Sequence, residues 1–274
     1  MRPLRIVSLQ SHVVDGTVGN AAAVFPMQRL GAEVLPVHTV QFSNHPAAGP
    51  VGGDLLPADH LARVLAGLTA RGLPGQLDAV LSGYLGVAET ADVLAGWLGT
   101  CRAVQPGMPY ACDPVIGDSG KGVYVRPDLA AMIRDRLIPL ATIAFPNLFE
   151  LQWLTGLAAE SEAGLAAAIA ALHRMGPRAV VVTSVEGLDG AETTGLAVSA
   201  GGAVAHIRQP RIDRAFSGAG DCFAGMCLVH FLRDGDVLAA AHRAGAAIHA
   251  LLALTMAERR DDLALVAGQH LIDA

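Results

Sequence analysis

Lysine is almost missing from this 274-residue chain: Lys121 is the only one, and every other basic residue is an arginine. Acids and bases are spread along the whole length, the formal net charge is -6, and no basic run occurs. Nucleic acid and anionic membrane are therefore excluded as main partners, and a small soluble ligand is favoured. The four cysteines, Cys101, Cys112, Cys222 and Cys227, form no CxxC pair and match no zinc ribbon or finger. They read as buried thiols. The ten histidines show no HExxH spacing, which argues against a transition-metal centre. The apolar run in the first ten residues is too short for a signal peptide, and the longer apolar stretches are Ala-rich and interrupted by charges or His. The expected location is cytoplasmic.

Familiar nucleotide and hydrolase motifs are missing too. Lys121 is followed by Gly122, and Val115 stands where a Walker A loop needs its first glycine. A GxGxxG fingerprint after Gly218 would need glycine at Phe223, and no GxSxG is present. Any phosphoryl transfer has to use another architecture.

What is present is a hydrophobic content of 52% and alternating β-rich and helical patterns. Strands are expected at Arg5 to Gln10, Glu33 to Phe42, Ala79 to Gly83, Pro109 to Pro114, Thr142 to Phe145 and Ala179 to Thr183. Helical patterns fall between them, over Asn20 to Leu30, Asp59 to Ala70, Ala88 to Leu98, Asp128 to Leu137, Asn147 to Leu154 and Glu162 to Met175. That rhythm is the signature of βαβ units and a parallel sheet. An antiparallel hairpin follows, Thr193 to Ser199 and Ala203 to Arg208, turned by Ala200-Gly201-Gly202, and two helices close the chain. They run from about Ala219 to Phe231 and from Asp236 to Thr255, and the Ala-rich stretch of the second, Leu238 to Leu252, suits the core and a partner surface equally. No repeat, linker or boundary interrupts residues 1–274, so one α/β domain is expected.

Open α/β sheets bind ligands outside the carboxyl ends of their strands. Ser11 and His12, Ser43 to His45, Tyr84 and Asn147 follow expected strands, Asp113 lies at the end of one, and together they would converge on one crevice. Lys121 lies in the Gly-rich turn Gly117-Asp118-Ser119-Gly120-Lys121-Gly122, where an ammonium can reach a phosphate. Gly218-Ala219-Gly220-Asp221 opens a helix. Its glycines let backbone N–H groups converge on an anion, and the helix start adds unpaired donors and a positive dipole end. Taken alone, Asp221 there is equally a first-turn acid favoured by the dipole.

Gly218-Ala219-Gly220-Asp221 resembles the catalytic signature of the ribokinase-like superfamily. Ser11-His12-Val13-Val14, Gly19-Asn20, Val40-Gln41-Phe42-Ser43-Asn44-His45, Ser82-Gly83-Tyr84 and Cys112-Asp113-Pro114-Val115 resemble the vitamin B6 kinases within it, as do Pro146-Asn147-Leu148-Phe149-Glu150 and Thr183-Ser184. The resemblance implies a three-layer α/β/α sandwich around a central, mostly parallel sheet. It implies ATP-dependent phosphorylation of the 5′-hydroxymethyl group of pyridoxal, and of pyridoxine or pyridoxamine, with Mg²⁺ and room for a monovalent cation such as K⁺. Asp221 would be the base, with the N–H groups of Gly218, Ala219 and Gly220 facing the phosphoryl group. Asp113, Asp118 and Glu150 would hold or orient Mg²⁺. Lys121, Asn147, Thr183 and Ser184 would lie on the nucleotide side, and Ser11, Val18, Val40, Phe42, His45 and Tyr84 on the substrate side. A homodimer is also implied.

Three positions depart from the pattern. Pro46 follows Asn44-His45 where many pyridoxal kinases have Thr, Phe145 precedes Pro146 in place of a small or hydroxylated residue, and Ala219 stands within GxGD in place of Thr or Val. Pro46 opens a sister reading, a hydroxymethylpyrimidine or related ring-hydroxymethyl kinase. A non-catalytic B6-binding protein is the alternative of a different class, and the retained Asp221, Asp113 and glycine pair argue against it.

Overall fold

The computed structural model describes residues 2–186, 193–214 and 216–273. Its strands are β1 (Leu4–Asp15), β2 (Ala32–Asn44), β3 (Gly53–Leu55), β4 (Ala79–Ser82), β5 (Tyr110–Cys112), β6 (Gly117–Asp118), β7 (Gly122–Val123), β8 (Ile143–Ala144), β9 (Ala179–Glu186), β10 (Thr193–Ser199) and β11 (Ala205–Pro210). Its helices are α1 (Asn20–Arg29), α2 (Ala58–Ala70), α3 (Ala88–Val104), α4 (Pro127–Met132), α5 (Leu148–Thr155), α6 (Glu162–Met175), α7 (Ala219–Asp234) and α8 (Val237–Ala257).

Nine strands form one sheet in the order β11-β10-β9-β8-β5-β4-β1-β2-β3. The ladders from β2 across to β9 are parallel, and the edges β3, β10 and β11 are antiparallel. Both faces are covered, which is why the inner strands read as nearly continuous apolar runs. Alternate residues feed two separate cores. Val7, Leu9, Val80, Cys112, Ala144, Val180 and Val182 pack with Leu61, Trp97, Leu129, Leu151 and Leu165 of α2 to α6. Ile6, Leu81, Ala111, Ile143 and Val181 pack on the other face with residues of α1, α7 and α8. Each fully buried Val, Leu or Ile side chain contributes about 1.5–3 kcal/mol. The result is the expected α/β/α sandwich.

By length and composition α8 is long and apolar enough to cross a membrane, a test that a buried core helix also passes. Here it serves as a core helix: Ala240, Ala241, Ala244, Ile248 and Leu251 are buried on one face. The Asp236 carboxylate fixes its start by accepting the Leu238 and Ala239 N–H groups. All four cysteines are free and buried.

Chain order reverses beside β1: β2 lies on one side of it and β4 on the other. Such a switch point opens a crevice at the carboxyl ends of the strands. Ser11, Tyr84, Asp113 and Asn147 all sit at that end. The Gly-rich turn at Gly117 to Gly122 folds as a small ribbon, β6 paired with β7, standing over α5.

Candidate active site

Ser11 owes its placement to an irregularity in β1. The pairing of β1 with β2 shifts register between Gln10 and His12, which leaves Ser11 out of the ladder, and such bulges re-aim a side chain. Gly19 closes on it from behind: a Cβ there would stand 2.3 Å from both the carbonyl oxygen and Oγ of Ser11. Asn20 ties the shifted segment down by donating from Nδ2 to the carbonyls of Gln10 and Val37. The rings of His12 and His38 stack beside it at 4.4 Å.

The Gly19 N–H donates to Asp221 Oδ2 at 2.9 Å, across 202 residues of sequence. Asp221 is therefore engaged across the fold. The α7 start has no side-chain cap, so its N-terminal dipole end is left for another anion. Burial raises the Asp221 pKa, and the Gly19 N–H opposes that rise. Gly218 has φ 83°, and a Cβ on it would lie 1.7 Å from the Thr17 carbonyl oxygen. Gly220 differs, because a Cβ there would meet nothing within 4 Å. The loop is locked at Gly218 and open at Gly220.

Asp113 follows β5 and is buried. Burial, then the nearby charges of Glu150 and Asp221, push its pKa well above the usual carboxylate range, while the Val115 N–H pulls the other way. Val115 itself has φ 44°, a left-handed conformation that a β-branched residue rarely adopts, with a typical cost of about 1–3 kcal/mol. Glu150 holds this turn in place: Oε1 accepts the Ile116 and Gly117 N–H groups at 2.7 and 3.3 Å, and Oε2 accepts the Asn147 N–H at 2.9 Å. With the Asn147 side chain accepting the Glu150 N–H, the pair forms a capping box on α5. Burial nonetheless pushes the Glu150 pKa up to about 7.

Asp118 Oδ1 accepts the Gly120 and Lys121 N–H groups at 2.9 and 2.8 Å, and Lys121 Nζ lies 3.5 Å from Oδ2. Tyr124, half exposed at the foot of the ribbon, has its pKa raised by burial of its hydroxyl and by the charges of Glu150, Asp113, Asp221 and Asp118. Its surroundings thus bring the four carboxylates together electrostatically. Asn147 Nδ2 donates to the Gly117 carbonyl at 2.8 Å, and Asn147 bridges to Thr183, which lies inside β9 and not at the strand end expected from the sequence. Ser184 follows, exposed, with φ 56°.

On the other side of Asp221, Val18 and Val40 are buried while Phe42 and Tyr84 are half-buried. Thr39 Oγ1 donates to the Tyr84 carbonyl at 2.6 Å. His45 caps the short turn Pro46–Ala48 through the Ala47 N–H. Its pKa is lowered, first by burial and then by Lys121, with Asp262 opposing. Lys121 and Asp262 thus lie within electrostatic reach of His45. Direct contacts join Asn147, Glu150, the Gly117 turn and Thr183 on one side, and Gly19 joins Asp221 to Ser11 on the other. Gly19 as the partner of Asp221, Tyr124, Thr17 and Asp262 were missed, because each contact spans distant parts of the chain with no local pattern.

Among the described residues no three His, Cys, Asp or Glu side chains close into a metal cage. Asp113, Glu150 and Asp221 nonetheless concentrate negative charge in a site with Lys121 at its edge. That set suits a hard cation keeping several waters, and Glu150 and Asp118, already bonded to backbone N–H groups, fit water-mediated roles.

A switch-point crevice, an uncapped helix start with an open glycine and a buried carboxylate between them define a small-molecule kinase of the ribokinase-like class. The sequence model of the family described as phosphomethylpyrimidine kinase matches residues 68–261. Two relatives described as Pyridoxal kinase PdxY are similar over nearly their full lengths. The one from Deinococcus radiodurans is 44% identical, covering 97% of this chain and 92% of its own, and the one from Leifsonia xyli is 40% identical, covering 97% and 95%. A solved pyridoxal kinase from Leishmania donovani, in complex with ADP and pyridoxamine, superposes with a TM-score of 0.90 at 26% identity, covering 97% of this chain and 95% of that one. The chain belongs to the pyridoxal kinase family.

Proposed function

We propose that this protein transfers the γ-phosphoryl group of ATP to the 5′-hydroxymethyl oxygen of pyridoxal, giving pyridoxal 5′-phosphate and ADP in vitamin B6 salvage. The observation that carries the reading is the position of Asp221. Its carboxylate is tied by Gly19 to the loop behind Ser11, and it stands one residue from the open Gly220 at the α7 start. One group thus borders both a substrate crevice and a phosphate seat.

A primary alcohol has to lose its proton as its oxygen bonds to phosphorus. Asp221 takes that proton, a contribution of about 10²- to 10⁴-fold, and its raised pKa makes it a better base than an exposed aspartate. The N–H groups of Gly218, Ala219 and Gly220 face the equatorial oxygens of the transferring group, where preorganised dipoles act most strongly. Lys121, Asn147, Thr183 and Ser184 line the nucleotide side. Ser11 orients the pyridine edge, Val18, Val40, Phe42 and Tyr84 wall the ring, and His45 faces the aldehyde or 3-hydroxyl side. Asp113 would hold Mg²⁺, with Asp118 and Glu150 acting through water. When bound, Mg²⁺ neutralises charge on the phosphate oxygens.

The unbroken sheet, with a core on each face, supports one domain over residues 1–274. Val14, 74% exposed, and Leu55, 39% exposed, lie at the β1 to β3 edge and support pairing of two copies there, which sedimentation of the purified chain tests. ATP as phosphoryl donor fits a cytoplasmic location.

Formation of pyridoxal 5′-phosphate with Mg·ATP tests the assignment. The description of the matched family model favours a second reading, a hydroxymethylpyrimidine kinase. Side-by-side rates on pyridoxal, pyridoxine, pyridoxamine and hydroxymethylpyrimidine decide between them, and pyridoxal is expected to be turned over fastest.

A further inference from the structure

We infer that Thr17 and Asp262 are positioning residues for catalysis: a clasp between them holds the loop that aligns the phosphate seat with the base. The inference rests on the kinase reading above. Four contacts made by residues 17–19 carry it. The Thr17 carbonyl lies so close to Gly218 that a Cβ there would stand 1.7 Å away, so this carbonyl sets where the phosphate loop begins. Two residues on, the Gly19 N–H holds Asp221 Oδ2. The same loop therefore bears on the anion seat at one end and on the base at the other.

A segment near the C-terminus grips this loop from outside. The Thr17 N–H donates to Asp262 Oδ1 at 3.2 Å, and the Leu263 N–H donates to Thr17 Oγ1 at 3.0 Å, a reciprocal pair across some 245 residues of sequence. Gly16 packs closely against it, since a Cβ there would stand 3.3 Å from Asp262 Oδ1. Beyond the clasp the chain is anchored: Leu263, Ala264 and Leu265 are buried, and the Ala264 N–H donates to Thr255 Oγ1 at the end of α8. The loop is thus referenced to α8 as well as to α7. Both clasp residues fall outside the stretch that the family model matches, 68–261.

A loop displaced by about 1 Å near reacting groups costs roughly 10²-fold in rate. The test measures kcat and KM for pyridoxal and ATP in Thr17→Val, Thr17→Ser, Asp262→Ala and Asp262→Asn. Hydrogen exchange of the peptide spanning residues 16–22 and thermal melting are recorded alongside. Thr17→Val keeps the β-branched shape and removes the acceptor of the Leu263 N–H, while Asp262→Ala removes an exposed carboxylate and is expected to fold. Both should lower kcat roughly 10- to 100-fold, leave each KM within about twofold and speed exchange in the 16–22 peptide. Thr17→Ser and Asp262→Asn keep an acceptor and should restore kcat. Unchanged kcat in Thr17→Val and Asp262→Ala overturns the clasp, as does a Thr17→Ser variant as impaired as Thr17→Val. An inert wild-type protein refutes the kinase reading instead. In that case unaltered exchange in Asp262→Ala still refutes the clasp, and faster exchange supports it.

Discussion

Gly218→Ala and Gly220→Ala, two residues apart, should fail in opposite ways. At Gly218 an alanine must adopt φ 83° and place its Cβ 1.7 Å from the Thr17 carbonyl oxygen. The left-handed conformation costs about 1–2 kcal/mol, and forcing an added methyl into packed backbone typically costs a further 1–3 kcal/mol, roughly. A total of about 3 kcal/mol lowers Tm by roughly 6–12 °C for a chain of this size. At Gly220 a Cβ meets nothing within 4 Å, and alanine in place of glycine stabilises a helix by up to about 1 kcal/mol. Gly220→Ala should therefore keep or raise Tm. Its methyl, however, fills the space where the phosphoryl group approaches the α7 start, and kcat/KM for ATP should fall roughly 10- to 100-fold, a loss of about 1.4–2.7 kcal/mol in transition-state binding. Thermal melting and steady-state kinetics on both variants check this. A Gly220→Ala enzyme with full activity would refute the phosphate seat, and a Gly218→Ala protein with wild-type Tm would refute the packing argument.

Four further outcomes follow from the same structure. Burial raises the Asp221 pKa and protonation removes the base, so kcat/KM should fall on acidification through a midpoint above the ordinary aspartate value of about 3.9, read from a pH–rate profile. The folded-state pKa of Glu150 is raised from 4.5 to about 7. The folded chain thus binds more protons than the unfolded one between those values, and Glu150 favours folding below pH 4.5 and loses that contribution as pH rises through about 7. Tm should decline across that window, with a smaller slope in Glu150→Gln. Burial pushes the thiol of Cys101 up to about 11 and that of Cys112 up to about 12, and Cys222 and Cys227 are also raised and buried, so a thiol reagent should label none of the four at neutral pH until the protein is unfolded. Pro46 starts a short exposed turn, and Pro46→Thr should change Tm little while altering the relative rates on the three B6 vitamers.

The inner strands and most helices were legible because burial on both faces writes itself into the sequence as apolar runs with capped helices between them. Even β8, only two residues long, was readable between Thr142 and Phe145. Short elements at the edge of the main sheet or outside it left no such trace. β3 is exposed and opens on a glycine, and β6 and β7 have two residues each, so neither periodicity nor composition could announce them. The hairpin turn extends beyond Ala200-Gly201-Gly202, and β11 begins at Ala205 instead of Ala203. At the site, residues at strand ends were readable because the carboxyl end of a parallel sheet is where ligands bind. Which group holds which was not. Glu150 stood in the sequence as a residue to hold or orient Mg²⁺, and in the structure it caps α5 while fixing the strained Val115 turn. Asp118 likewise bonds to its own turn. The partners of Asp221 and Asp262, Gly19 and Thr17, are brought to them by topology alone.

The central claim is that Asp221 deprotonates the hydroxymethyl group of a pyridoxal seated between the loop behind Ser11 and the α7 start. The most direct test measures pyridoxal 5′-phosphate and ADP formed by wild type and Asp221→Asn with Mg·ATP, with thermal melting to show that both fold. The account predicts equal amounts of the two products from wild type, and a kcat lower by about 10²- to 10⁴-fold in the variant. Undiminished turnover by folded Asp221→Asn would contradict it.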